Sequence, residues 1–257
     1  MLRKYSNSRS LGDNIKLGAM TAFSAGMVNV ASLILFFSFT SNVTGHYAIL
    51  AEEIAKGNWF QVLVVFSWIF CFFAGSFFSN YMIIHGERRS SYITHSIPLI
   101  LEMICILTVG FYGHFIYSET LMETEIMVAV LLLAMGLQNG LTASISNFSV
   151  KTTHLTGLTT DLAAHLSMLT KKKYRQNKQV RDKVKLLSFI AAAYLTGGVI
   201  AGSITYWFEF TVFFVIAITI VVVLIYDISK IYLTKAIRKK KVRISVSLVP
   251  QSGNNSN

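Results

Sequence analysis

The sequence predicts an all-α fold: a polytopic transmembrane helical bundle of six spans, arranged as a three-plus-three inverted-topology repeat. Three observations predict it. Hydrophobic residues make up 53% of the 257 and charged residues only 14%, where a soluble domain carries about 25% charged residues. The Lys and Arg residues fall in alternate segments between the apolar runs. One phrase is written twice, as "TSNVTGHYAILA" at 40–51 and "TTHLTGLTTDLA" at 152–163.

The apolar runs set the elements. Runs of about 20 residues match the thickness of a bilayer core, and they fall at 17–39, 59–84, 94–116, 125–146, 186–207 and 209–229. They do not alternate with period two, so a membrane β-barrel is not indicated. The third run contains Pro98 and Glu102. A mid-helix carboxylate costs about 3 kcal/mol for insertion and each Leu, Ile or Phe returns about 0.3–0.6, so the run still spans. Residues 1–16 are a basic N-terminus without a cleavable signal pattern. Residues 17–116 form the first three-helix unit. Residues 125–229 form the second, with a basic loop at 147–185, and a basic polar tail fills 230–257.

Orientation follows from charge. The N-terminus, second loop, fourth loop and tail hold 4, 2, 9 and 7 Lys and Arg, against 1, 0 and 0 in the other three loops. The positive-inside rule then predicts a multi-pass membrane protein with both termini, the second loop and the fourth loop in the cytoplasm. The net charge of +11 is thereby accounted for by topology and by anionic headgroups at the cytoplasmic face, and nucleic acid is not an expected partner. Asp227 and Lys230 read as an interfacial ion pair at the end of the sixth span.

The echo extends beyond the opening phrase. Thr40, Thr44, Gly45, Leu50 and Ala51 recur as Thr152, Thr156, Gly157, Leu162 and Ala163. "AGMVN" at 25–29 answers "MGLQN" at 135–139, and "FAGSFFS" at 73–79 answers "GGVIAGS" at 197–203. Three spans per unit is an odd number, so the second copy crosses in the opposite sense, as in secondary transporters whose sites lie at the repeat interface. Small residues at four-residue spacing mark close helix approach. They occur as Gly18, Ala22 and Gly26, Gly75 and Ser79, Gly136 and Gly140, and Gly198 and Gly202. Spans one, two, four and five should therefore form the core, with three and six outside.

The polar residues supply candidates for function, each beside a plainer reading. Asn29, Gln138 and Asn139 would line a polar substrate site or serve as interhelical glue, worth about 0.6 kcal/mol per bond. Asn42, Thr44 and Gly45, with Thr156 and Gly157, precede short helical stretches. Thr there is an N-cap and Gly a turn at the membrane surface, or the exposed N–H groups bind a ligand. Asp161 lies one helical turn from His165 and joins the substrate candidates, or pairs locally with that imidazole. Glu102 and His165 are candidates for a proton or ion relay. Cys71 and Cys105 lie inside apolar runs and form neither a disulfide framework nor a metal spacing. No catalytic constellation, metal site or cofactor motif is present, so an enzyme is not expected.

"GMVNV", "SNVTGH", "AMGLQNG" and "TTHLTGLTTDLA" resemble the YoaK family of bacterial six-span membrane proteins, a domain of unknown function, over roughly residues 16–230. The resemblance implies an integral inner-membrane protein and no established activity. The chain departs from the family pattern at Asn29, where Asp is common, and at His46, where Asn is common. Two functions are expected from the whole reading. One is a small-solute secondary transporter or permease with a polar site between the repeats, acting on an unknown solute. The other is a non-transporting membrane protein, an assembly partner or lipid-interacting factor. A homodimer suits either, since one three-plus-three unit is small for an enclosed pathway.

Overall fold

In lipid a backbone must satisfy its own hydrogen bonds, so apolar runs of this length become helices. The computed structural model describes residues 10–86, 91–146, 150 and 152–226, and no strand occurs among them. Arg88, Arg89, the Asp227–Lys230 pair and the basic tail lie outside the described residues. The long helices are α1 (Leu11–Phe36), α3 (Trp59–His85), α4 (Ser91–Phe115), α5 (Leu121–Ser146) and α8 (Lys178–Phe208), with short helices α2 (Val43–Lys56), α6 (Leu155–Leu169) and α7 (Lys172–Arg175) between them. A further apolar helix, α9, runs over Thr211–Tyr226. The five long helices are each long and apolar enough to cross a membrane.

Helix ends follow local chemistry. Ser10 and Asp13 form a capping box that starts α1, six residues ahead of the apolar run. The helix stops at Phe36 because Phe37 adopts a left-handed conformation (φ 53°), its N–H closing on the Leu33 carbonyl. Gly57 (φ 71°) ends α2, and Asn58 then caps α3. Asn177 caps α8, so the basic stretch Lys178–Lys185 joins the same helix as the apolar run expected from 186.

Two parallel helix pairs carry the bundle. On α8, Ile190 packs at Gly18 of α1, and Gly202 faces Val30 and Ile34. On α5, the Glu125 carbonyl accepts from Trp68 of α3, and Ser144 donates to Asn80. Each pair thus advances in register. The closest approaches match. A Cβ on Gly26 would fall on the Tyr194 carbonyl and one on Gly197 on the Phe23 carbonyl. Likewise a Cβ on Gly136 would meet the Phe72 carbonyl, and one on Gly75 the Leu133 carbonyl. Helix α2 packs on α3 as α6 packs on α8.

Helices α1 and α5 are the most enclosed, and α1 is buried continuously from Ser24 to Asn29. Helix α3 turns Leu63, Phe66, Phe70, Phe73, Phe77, Tyr81 and Ile84 outward. This stripe at three- and four-residue intervals is suited to lipid. One expectation needs correction. Helix α4, expected outside, is more enclosed than α3 or α8. It packs on α5, and its Glu102, Leu99 and Ile106 are buried. The small-residue stripe does not identify it because its contact face is built from large side chains.

Adding one methyl separates these contacts. Gly26→Ala or Gly136→Ala should lower stability by about 1–3 kcal/mol, the cost of overpacking, because backbone atoms occupy the space. Gly202→Ala meets only ordinary contacts, the nearest at 3.5 Å, and should be neutral or stabilising by up to about 1 kcal/mol from helix propensity. Thermal unfolding of the three variants in detergent measures both signs.

Candidate functional site

The site begins with one side chain. Asn29 Oδ1 accepts from the backbone N–H of Thr40 (3.1 Å), that of Ser41 (3.1 Å) and the Ser41 hydroxyl (2.9 Å). Asn29 lies seven residues before the end of α1 at Phe36, about 10 Å back along the axis. The chain leaving α1 therefore folds back into the bundle. Its carbonyls are also satisfied there. Ser32 Oγ donates to Ser38 O (2.9 Å), and His46 Nε2 donates to Phe39 O (2.7 Å), with the His46 ring edge-on to Trp68. Helix α2 then starts beside the middle of α3 and runs to the beginning of α3. At that far end Glu53 accepts from Lys56 (3.0 Å) and Asn58 (2.8 Å), and the bond from the Lys56 ammonium holds its carboxyl below the usual carboxylate range.

The second phrase is built on the same frame. Asn139 lies seven residues before the end of α5 at Ser146. Its Oδ1 accepts from Thr152 Oγ1 (3.4 Å), and Ser146 Oγ accepts the N–H of Val150 (3.0 Å). Thr40 and Thr152 are both fully buried. Both phrases therefore begin at buried threonines, while the helix starts that follow, at Asn42 and Thr44 and at His154 and Thr156, are exposed. The caps are not the threonines expected from sequence. Asn42 caps α2 and His154 stands at the cap of α6, so Thr44 and Thr156 fall at the second helical position.

The two phrases meet at a cavity of about 400 Å³ between α3 and α5. Asn42 and Thr44 come from the first phrase, and Thr153, His154 and Thr156 from the second. Ser76 and Asn80 of α3 and Asn139 of α5 form the polar part of the wall. Ser76 donates to Gly136 O (3.0 Å), and Asn80 donates to Ser76 O (2.7 Å) while accepting from Ser144. Among the described residues no carboxylate, ammonium or guanidinium lines the cavity. Helices α2 and α6 both begin at it, so two sets of unpaired helix-start N–H groups and two positive dipole ends converge there.

Several expected residues sit elsewhere. Gly45 and Gly157 do not line the cavity. Each makes room for the cap three residues earlier: a Cβ on Gly45 would lie 3.3 Å from Asn42 Nδ2, and one on Gly157 2.5 Å from His154 Nδ1. Asp161 is exposed and outside the cavity, and His165 Nδ1 bonds its backbone carbonyl (2.6 Å) rather than its carboxylate. Asn29 serves the returning chain on the α1 side. Gln138 turns from the cavity to Glu102, its Nε2 donating to Glu102 Oε1 (3.0 Å), both side chains fully enclosed. Glu102 and His165 are thus bonded in separate surroundings. No group of three or more potential metal ligands occurs among the described residues.

Sequence reasoning missed Ser76, Asn80 and Tyr194. The i,i+4 pair of Ser76 and Asn80 inside an aromatic run was a readable signal for the wall. Tyr194 carried none, because a tyrosine in an apolar run reads as packing. Its side chain lies beside Ser41 and Asn29. The residue in the corresponding place against Gly136 is Phe72, without a hydroxyl. The first phrase is therefore held firmly and the second loosely.

Asn29→Ala should cost about 1–3 kcal/mol, since two buried amides lose their acceptor. Hydrogen exchange at Thr40 and Ser41 should rise. Asn139→Ala, which removes the long bond from Thr152 and the Nδ2 bond to the Met135 carbonyl but leaves no backbone N–H without its acceptor, should cost less in the same unfolding measurement.

Residues 17–226 match the family of proteins of unknown function DUF1275, and the chain belongs to that family. No curated protein and no solved structure matches it.

Proposed function

We propose that this DUF1275 protein is a small-solute permease of the inner membrane, its site the cavity where α2 and α6 begin. The observation that carries the reading is that the two copies of the Thr-Gly phrase, 112 residues apart in sequence, line one cavity between the apolar helices α3 and α5. A volume of about 400 Å³ falls within the range of small-molecule sites. Hydroxyls, amides and two helix starts without a facing carboxylate suit a neutral or singly anionic polar solute. Helices interrupted at mid-membrane, with their starts turned toward substrate, are a recurring device of secondary transporters.

The fold reading that accompanies this is a six-span inverted repeat of the YoaK type, with α9 as the sixth span and both termini cytoplasmic. The matched glycine crossings of α1 with α8 and of α3 with α5 support it. So does the equal seven-residue distance from Asn29 and Asn139 to their helix ends. In such a repeat α1, α2, α3 and α4 correspond to α5, α6, α8 and α9.

The test is thiol access. In a chain with Cys71 and Cys105 replaced by Ser, single cysteines at Thr44 and Thr156 should react with a membrane-impermeant reagent in both intact cells and inverted vesicles. The double variant should be bridged by a short bifunctional thiol reagent. Labelling of each position from one face alone would remove the permease reading and leave the non-transporting assembly or lipid-interacting role.

A further inference from the structure

A second polar centre lies behind the cavity, where α1, α4 and α5 meet. Glu102 of α4 is wholly enclosed, as are Gln138 of α5 and Ser24 of α1. One carboxyl oxygen of Glu102 accepts from Gln138. The Ser24 hydroxyl lies beside the carboxyl, and among the described residues neither Glu102 Oε2 nor Ser24 Oγ has a hydrogen-bond partner. A carboxylate there would be a bare negative charge among apolar helices, which is prohibitive without a cation or a proton. Among the described residues no Lys or Arg acts on it. Helix α1 brings Ser24 and α5 brings Gln138, neither of which titrates. On α4 itself the titratable neighbours are Cys105, within electrostatic reach, and His95, buried on the same face seven residues earlier.

We propose that Glu102 is a proton-binding site, exchanging its proton with water along the buried face of α4 past His95. One proton on Oε2 turns an acceptor into a donor, and the Ser24 hydroxyl becomes its acceptor. That single addition satisfies both orphaned atoms without a further ligand. The Gln138 amide keeps its bond to Oε1. His95 lies two turns, about 10 Å, nearer the start of α4. Between them Pro98 stands inside the helix, removing one backbone hydrogen bond a turn before Glu102 and giving α4 a point at which to flex. The proton is taken from bulk water and returned to it, with no covalent change in the protein. The site also touches the cavity. Gln138 holds Glu102, and its neighbour Asn139 lines the cavity wall, so a shift of α5 is felt at both.

The test uses the full-length protein in detergent and a hydrophobic carbodiimide, which adds to protonated carboxyls in apolar surroundings. Mass spectrometry of peptides should place one adduct on Glu102, with yield falling at least several-fold as pH is raised through the alkaline range. Glu102→Gln, which keeps the acceptor for Gln138 and offers an N–H to Ser24, should fold normally and lose that adduct. Infrared difference spectra should show a protonated-carboxyl band in the parent and none in the variant. Absence of the adduct and band from the parent would overturn the proposal, as would a yield unchanged across pH. None of these readouts needs a transported solute, so the permease reading fails or stands separately.

Discussion

The structure depends on how a backbone that turns back inside an apolar bundle finds hydrogen-bond partners. Water is absent there, and each unpaired N–H or C=O costs several kcal/mol. One carboxamide oxygen resolves most of the problem. Asn29 takes two consecutive backbone N–H groups and a hydroxyl, while Ser32 and His46 take up the carbonyls of Ser38 and Phe39. With those groups satisfied, the chain turns within the bundle and starts α2 at the exposed Asn42. That start brings the N–H groups of a helix to a place where a solute could meet them.

The two halves use this device unequally, and the inequality locates the cavity. On the α1·α8 side, the Tyr194 side chain lies beside Asn29 and Ser41. On the α3·α5 side, Phe72 stands in the corresponding place, and Asn139 Oδ1 receives one long bond from Thr152. Ser76, Asn80 and Asn139 line the cavity there while keeping their bonds to Gly136 O, Ser76 O and Met135 O.

Much of the frame was legible in the sequence. The apolar runs located the long helices, although α1 and α8 begin six and eight residues ahead of them, and the echo pointed to paired segments that the structure brings to one cavity. The threonine caps were misread because Ser, Thr, Asn and His all compete for a helix start, and which residue wins depends on where the chain leaves the preceding helix. Phe37, a left-handed non-glycine residue, fixes that point and has no sequence signature. The enclosure of α4 was hidden for a related reason. Small-residue spacing reports only backbone-to-backbone approach, and α4 packs through Leu99, Glu102 and Ile106.

The distribution of charge around these features is itself informative. Among the described residues the cavity wall combines amides, hydroxyls and one imidazole with the apolar Val43, Phe72, Ala143, Val150 and Leu155. Asn29 performs with a neutral oxygen what an aspartate would perform with a charge, so the returning chain is held without a counter-ion. The carboxyl that the chain does enclose is set apart on α4, behind Gln138. Helix α5, carrying Gln138 and Asn139 on adjacent residues, joins that carboxyl to the cavity wall.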